Sequence, residues 1–189
     1  EGSTPSITVT HKVDAGDGER LVLHPPVLAL GVGCERDCDP AELISLAQET
    51  LTQAGLVRQA VACVVSIDVK ADENAVHALA DHLGVPVRFF SAAELETQAS
   101  RLANPSDVVF AEVGCHGVAE GAALAAVGKG GELIVPKAKS KRATCALGLA
   151  STNTDIDPDT VGKKRGRLTV VGIGPGSDGW RTPAVTNAL

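Results

Sequence analysis

The sequence predicts an α/β protein, with a largely parallel sheet covered by helices on both faces in a three-layer α/β/α arrangement. Three observations predict this class. Short, mainly apolar runs alternate with segments of helical periodicity. The runs contain no alternating polar positions, so both faces of each strand should be buried, as in parallel sheets. Apolar residues make up 44% of the chain but aromatic ones only 2%, so Ala, Val and Leu must fill the core.

Six apolar runs have the length of a strand and are bounded by glycine, proline or polar residues. The predicted strands are residues 27–33, 61–67, 85–90, 108–113, 132–135 and 144–149.

Each predicted helix has its own start signal. The segment DPAE at residues 39–42 offers an N-cap, a proline at the first helical position and a glutamate at the third. Asp72 can cap the second helix, and Ser91 with Glu94 matches a capping box for the third. An alanine-rich helix is expected over residues 118–127.

The predicted elements define one domain over residues 26–150. Residues 1–25 are polar apart from one short β-like patch, and we interpret them as a linker from an N-terminal domain. Residues 151–166 lose all periodicity and are interpreted as a second linker. Residues 167–189 hold a β-branched run followed by GIGPG, the pattern of a strand and a glycine loop that begins a further domain.

Charge and composition exclude several classes of function. The net charge is −6, which argues against a nucleic-acid partner. No apolar run is long enough to span a membrane. The five cysteines are scattered and odd in number, which favours a reducing, cytoplasmic setting. Cys34 and Cys38 have no second pair of ligands, so no metal site is expected.

One basic segment departs from this acidic balance. It is KAKSKR at residues 137–142, and it begins with Lys137. It could attract an anionic ligand. A charged turn that keeps the sheet edge from pairing with another sheet is an equally good interpretation.

The first candidate binding loop, GVGCERDC, follows the first predicted strand, and ligands of open α/β sheets bind at such carboxyl ends. Gly31 and Gly33 would let a ligand approach the backbone beside Cys34, and Arg36 could pair with a carboxylate or phosphate. A tight turn with two buried thiols explains the same residues equally well.

The second candidate loop, SIDVKADE, places Lys70 and Glu73 at the start of the next helix. Lys70 could bind an anion or, if desolvated, act as an acid, a base or a Schiff-base group. A solvated turn is the favoured alternative, because acidic residues prefer helix N-termini.

The third candidate loop, GCHGVAEG, precedes the alanine-rich helix. Gly114 and Gly117 would expose backbone N–H groups at the helix N-terminus, which attracts anions. His116 and Glu120 are two ionisable groups in the same stretch. The alternative is a glycine-rich turn whose glutamate only satisfies the helix dipole.

Four motifs, LHPPVLALGVGCER, SIDVKADE, LGVPVRFFSAAEL and GCHGVAEGAAL, resemble the C-terminal domain of the cobalamin-biosynthesis protein CbiG and its stand-alone relative CobE. The resemblance covers residues 23–150. It implies a CobE-like fold and a carboxylate-rimmed precorrin or cobalt-precorrin as the tetrapyrrole substrate. CbiG is a cobalt-precorrin-5A hydrolase that opens a δ-lactone and releases acetaldehyde. A non-catalytic module that binds a precorrin or hands it over is the alternative.

The resemblance gives the candidate residues their roles. His116 or Glu120 would be the catalytic base, and Lys70 or the backbone between Gly114 and Gly117 would hold the developing anion. The expected substrate-binding residues are Gly31, Gly33, Cys34, Arg36, Glu73, Gly114, Gly117 and Lys137.

The segment GRLTVVGIGPGSDGWRTPAV, residues 166–185, is similar to the start of a tetrapyrrole methylase of the precorrin-3B C(17)-methyltransferase type. Gly172, Gly174, Pro175 and Gly176 match its S-adenosylmethionine (SAM) loop. The similarity implies a parent polypeptide that joins an N-terminal CbiG domain, this domain and a methylase. SAM would serve the rest of that methylase, and we expect these 189 residues to bind no cofactor.

Overall fold

Seven strands and five helices make up residues 5–151 and 154–164, the part of the chain that the computed structural model describes. The strands are β1 (Ser6–Val9), β2 (Arg20–Leu23), β3 (Leu28–Cys34), β4 (Val61–Ile67), β5 (Val87–Phe90), β6 (Glu132–Lys139) and β7 (Ala143–Leu149). The helices are α1 (Pro40–Gln53), α2 (Asn74–Leu83), α3 (Ala92–Glu96), α4 (Asp107–Val113) and α5 (Val118–Val127). The predicted start of a methylase, residues 167–189, lies outside the described residues.

The main sheet has five strands in the order β5-β4-β3-β7-β6. Strands β3, β4 and β5 are parallel, whereas β7 is antiparallel to both β3 and β6. The sheet is therefore mixed and not largely parallel as expected, because β7 runs opposite to the other four strands and makes two of the four strand pairings antiparallel. The reason is the short turn between β6 and β7, because a parallel pair needs a crossover of a dozen or more residues.

Helices cover both faces of this sheet, as predicted. Leu28, Leu30 and Val32 of β3 belong to the buried cluster that includes the apolar faces of α1 and α2. The intervening positions face the opposite side, because side chains alternate along a strand. There α5 lies so close that a Cβ on Gly31 would be 1.9 Å from the carbonyl oxygen of Ala119.

One predicted strand, residues 108–113, is the helix α4 instead. The Ser106 side chain caps it by accepting a hydrogen bond from the Val109 N–H, and Gly114 ends it in the left-handed conformation. The run VVF suggested a strand because a short apolar run does not distinguish a strand from a helix. The polar cap before the run and the glycine after it were the better signals.

The predicted helix caps agree closely with the structure. Asp39 caps α1, and Ser91 with Glu94 forms a complete capping box at α3. The N-cap of α2 is Glu73, one residue after the predicted Asp72.

The helices are short. The longest, α1, has 14 residues. Within the described residues, no single helix has the length and apolar character of a membrane span, and α4 with α5 meets that test only as a pair bent by 80°.

The two segments interpreted as linkers contain ordered structure. Strands β1 and β2 pair in parallel as a separate two-stranded sheet within residues 5–25. After β7, Ile156 and Val161 are buried. Lys163 exchanges backbone hydrogen bonds of 2.8 and 3.0 Å with Phe89 of β5. The chain after β7 therefore covers the open edge of the sheet.

Candidate functional site

A cleft of about 400 Å³ opens where β3 ends, between the β6–β7 hairpin and helix α4. Its remaining lining comes from the first turn of α5 and from the turn after β4. This is the carboxyl end of the parallel strands, where open α/β sheets bind ligands.

Six of the predicted site residues line the cleft, and they come from four separate segments of the chain. They are Gly33, Cys34, Lys70, Gly117, Glu120 and Lys137. The others do not line it. These are Gly31, Arg36, Glu73, Gly114 and His116. The glycine loop of the predicted methylase lies outside the described residues.

One side of the cleft is basic. Five cationic side chains line it: Lys70, Lys137, Lys139, Lys141 and Arg142. Four of them belong to the segment KAKSKR, which forms the end of β6 and the turn to β7. The two interpretations of this segment are thus compatible, since a charged edge turn is also the basic wall of the cleft.

The other side of the cleft is apolar. Val109 and Val113 of α4 line it together with Ile67 at the end of β4 and Val118 at the start of α5. The cleft therefore offers apolar surface next to a row of positive charges.

Glu120 is a buried carboxylate at the base of the cleft, with 2% of its surface exposed. It accepts four hydrogen bonds of 2.8 to 3.0 Å, from the N–H groups of Ala103, Asn104 and Lys137 and from the Asn104 side chain. Burial alone would raise the pKa of Glu120, but these hydrogen bonds outweigh it and lower the pKa below its ordinary value. Its oxygens are therefore occupied in holding the cleft together.

Glu112 is a cleft carboxylate that the sequence analysis missed. It lies on α4 and faces the cleft with Val109 and Val113, since residues three and four apart share one side of a helix. Within the described residues its carboxylate has no hydrogen-bond or ion-pair partner. It was missed because residues 108–113 were interpreted as a strand.

His116 lies beside the cleft, at the flank of α4. Its Nδ1 is 2.8 Å from Oε1 of Glu96, and its backbone N–H donates to Oε2 of the same carboxylate at 3.0 Å. The ring stacks on Phe110 with a centroid separation of 4.4 Å. Its Nε2 is 3.5 Å from the carboxylate of Asp107. His116 thus joins α4 to the end of α3.

Arg36 and Glu73 form a second cluster beside the cleft. Glu73 is buried, and its Oε2 is 3.6 Å from Nη1 of Arg36 and 3.9 Å from Nζ of Lys70. Arg36 also pairs with Asp72 at 2.7 Å. This cluster links the end of β3 to the turn after β4 and connects to the cleft through Lys70.

Cys34 lies where this cluster meets the cleft. Burial raises the pKa of its thiol to about 12, and the charge of Glu73 acts in the same direction. The thiol is therefore neutral at physiological pH and is not a nucleophile there.

The remaining predicted glycines have packing explanations. The missing side chain of Gly31 leaves room for the α5 backbone, and Gly114 ends α4 at a φ of 79°. Within the described ranges, no group of three His, Cys, Asp or Glu side chains is placed to hold a metal ion.

Comparison with known proteins supplies the family. The sequence profile described as "Cobalamin synthesis G C-terminus" matches residues 28–148. The chain belongs to this family. It is 52% identical over 120 residues to the protein CobE of a Sinorhizobium species, a match that covers 64% of this chain and 78% of CobE. It is 31% identical over 150 residues to a cobalt-precorrin-5A hydrolase of Priestia megaterium, covering 76% of this chain and 39% of the hydrolase.

Solved structures agree with this assignment. The crystal structure of CobE, a protein from the cobalamin (vitamin B12) biosynthetic pathway, has a TM-score of 0.62 and 37% identity, covering 68% of this chain and 93% of CobE. A cobalamin biosynthesis protein G homolog from Sulfolobus solfataricus has a TM-score of 0.55 and 25% identity, covering 77% of this chain and 44% of that protein.

These matches confirm the CbiG and CobE resemblance found in the four motifs, and with it a role in cobalamin biosynthesis. The chain spans less than half of the hydrolase and of the protein G homolog. The fusion with a methylase stays a prediction.

Proposed function

We propose that the cleft binds a precorrin or cobalt-precorrin of cobalamin biosynthesis and that the chain opens its δ-lactone, with release of acetaldehyde. The observation that carries this proposal is the pairing of a basic hairpin wall with an apolar α4 wall in one cleft. The relationship to a cobalt-precorrin-5A hydrolase supplies the reaction.

The two walls suit the two parts of such a substrate. The rings of a tetrapyrrole are largely apolar and would pack against Val109, Val113 and Ile67. Its acetate and propionate groups lie at the rim and would pair with the lysines of the hairpin. The N–H groups at the start of α5 add a favourable dipole for one carboxylate.

Lactone opening requires an activated water and a group that stabilises the oxyanion. We assign the base to Glu112, whose carboxylate faces the cleft and is uncommitted within the described residues. As the water oxygen bonds to the lactone carbonyl carbon, Glu112 takes a water proton. The ring C–O bond then breaks, and the departing oxygen takes up a proton to become a hydroxyl. Lys70, which also lines the cleft, stabilises the anionic oxygen that exists between attack of the water and cleavage of the C–O bond.

Acetaldehyde release is the second stage. A base removes the proton of the new hydroxyl, the bond between its carbon and the macrocycle breaks, and the macrocycle carbon takes up a proton. Of the bases that the sequence suggests, Glu120 has its oxygens occupied by four donors, and His116 lies outside the cleft lining. We therefore give both of them supporting roles.

The second candidate is a module that binds a precorrin and hands it over without reaction. The coverage of the relatives favours it: this chain matches 78% of CobE but only 39% of the hydrolase. The part of the hydrolase beyond the match would then supply catalytic groups that this chain lacks.

The binding step is tested with uroporphyrin, a tetrapyrrole that carries acetate and propionate groups at its rim. We expect the K139E/K141E variant to bind it at least about tenfold more weakly than the wild-type chain, because two attractive charges become repulsive. The control is K129E, which makes one such charge reversal just after α5, about 15 Å from the first turn that lines the cleft. Equal affinity in these two variants, or equal affinity for a porphyrin with cationic substituents, would contradict the proposal.

The reaction is tested with cobalt-precorrin-5A and an acetaldehyde assay. Release of acetaldehyde by wild-type protein but not by E112Q supports the hydrolase and its assigned base. Tight binding without release by the wild-type chain favours the hand-over module.

A further inference from the structure

We propose that α4 is a hinged wall of the cleft and that His116 is the positioning residue that holds this wall against the rest of the domain. The inference rests on the proposed function, because the hinge would let the macrocycle enter and would then bring Glu112 onto it.

Helix α4 is poorly anchored by packing. None of its residues is buried, and Val108 and Phe110 are 69% and 43% exposed. The neighbouring α5 has six buried residues in a helix of ten. Segments with few buried apolar contacts open at a small fraction of the global unfolding free energy.

The ends of the α4 segment form a natural hinge. The backbone N–H of Ser106 donates to the carbonyl of His116 at 2.8 Å, so the chain leaves and rejoins the domain at one place. Gly114, at a φ of 79°, separates α4 from the well-packed α5. Residues 107–113 can therefore move together without disturbing the sheet, while Cys115 stays buried in the core.

His116 is the main link between this segment and the helix before it. Glu96 at the end of α3 accepts hydrogen bonds from both the backbone N–H and the ring Nδ1 of His116, which places the ring proton on Nδ1. The fixed ring then stacks on Phe110 and lies 3.5 Å from Asp107. Both of these contacts are with α4 itself.

The size of the cleft favours such a movement. Its volume is about 400 Å³, near the lower end of the ~300–1,000 Å³ that pockets for drug-sized ligands span. A tetrapyrrole with its rim of carboxylates is larger than such ligands. Outward movement of α4 is the simplest way to enlarge the cleft, because the opposite wall belongs to the sheet.

Hydrogen exchange followed by mass spectrometry tests the hinge on the full chain. We expect the amides of residues 107–114 to exchange faster than those of α5 in the wild-type protein. H116A should speed their exchange about tenfold or more and leave α5 unchanged, because it removes the stacking on Phe110 and the ring hydrogen bond to Glu96. H116F should give an intermediate rate, since it keeps a ring against Phe110 but loses the hydrogen bond. H82A, at an exposed histidine of α2 that contacts Gln48 of α1, is the control and should leave α4 unchanged.

Protection of α4 as strong as that of α5, or an H116A variant with unchanged exchange, would overturn the hinge. Uroporphyrin should slow exchange in α4 of the wild-type protein. If H116A loosens α4 as expected but uroporphyrin changes nothing, the proposed ligand is wrong while the positioning role of His116 stands.

Discussion

The carboxylate of Glu120 accepts a hydrogen bond of 2.8 Å from the backbone N–H of Lys137 and thereby ties the first turn of α5 to strand β6. The other donors to this carboxylate belong to Ala103 and Asn104, in the loop before α4. One buried side chain therefore joins three segments that surround the cleft.

Glu120→Gln should lower the free energy of unfolding by about 2–4 kcal/mol, because an amide cannot accept from four donors and the lost hydrogen bonds are charge-assisted. Chemical denaturation measures the effect. Glu132→Gln makes the same change at an exposed position of β6 and should alter stability by less than about 0.5 kcal/mol. Equal effects in the two variants would show that Glu120 does not hold the cleft together.

The loss of stability in Glu120→Gln should depend on pH. Hydrogen bonds lower the pKa of Glu120 in the folded state, so its contribution to stability is present at neutral pH and is lost as the pH falls through that lowered pKa. The stability difference between the wild-type chain and Glu120→Gln should therefore shrink below about pH 4.3, the ordinary pKa of a glutamic acid. A difference that stays constant down to pH 3 would rule out this linkage.

Gly31→Ala should destabilise the protein by about 3 kcal/mol, as an overpacking substitution in a rigid contact. The added Cβ would lie 1.9 Å from the backbone oxygen of Ala119, which cannot move away without shifting α5 from the sheet. Gly18→Ala is the matched control, since a Cβ there meets nothing within 4 Å. Thermal unfolding of both variants compares them. If Gly31 served only to admit a ligand, both proteins would melt at the same temperature.

Much of this fold follows from local sequence signals. The strands β3 and β4, the caps at Asp39 and Ser91, and the alanine-rich α5 are each specified by apolar runs or capping residues within a few positions. The direction of β7 does not follow from these signals, because it depends on the turn at residues 140–142. A short turn sets strand direction, and apolar pattern alone does not.

The site was only partly predictable for a related reason. Lys70, Glu120 and Lys137 converge because strand ends and a helix start meet at one edge of the sheet, which the βα order indicates. Their roles depend on partners far away in sequence, such as Asn104 for Glu120 and Glu96 for His116. No local spacing reveals those partners.

Arg88→Ala should loosen the segment after β7. The guanidinium donates to the carbonyl of Pro158 at 2.6 Å and to the carboxylate of Asp159 at 2.8 Å, and it is almost fully buried. We expect a loss of about 2 kcal/mol in stability and faster tryptic cleavage after Lys163. Arg58→Ala removes an exposed arginine and should change neither property. Unchanged cleavage in Arg88→Ala would mean that this arginine does not secure the segment.

The thiol of Cys34 should react slowly with alkylating reagents in the folded protein. Cys34 is half-buried in the cleft, while the other four cysteines, Cys38, Cys63, Cys115 and Cys145, are buried. Because burial raises the pKa of the Cys34 thiol to about 12, its thiolate fraction at pH 8 is on the order of a thousandfold below that of free cysteine. Alkylation of the native protein by iodoacetamide should be slower by a similar factor, and all five cysteines should react in guanidinium.

The Cys34→Ser variant shows how much of the alkylation of the native protein occurs at Cys34. Any slow reaction that is lost in this variant belongs to that thiol. The reaction should also slow when uroporphyrin is present, since a bound macrocycle would cover Cys34. A native Cys34 that reacts as fast as free cysteine would show that its thiol is neither buried nor held neutral, and that the end of β3 is open to water.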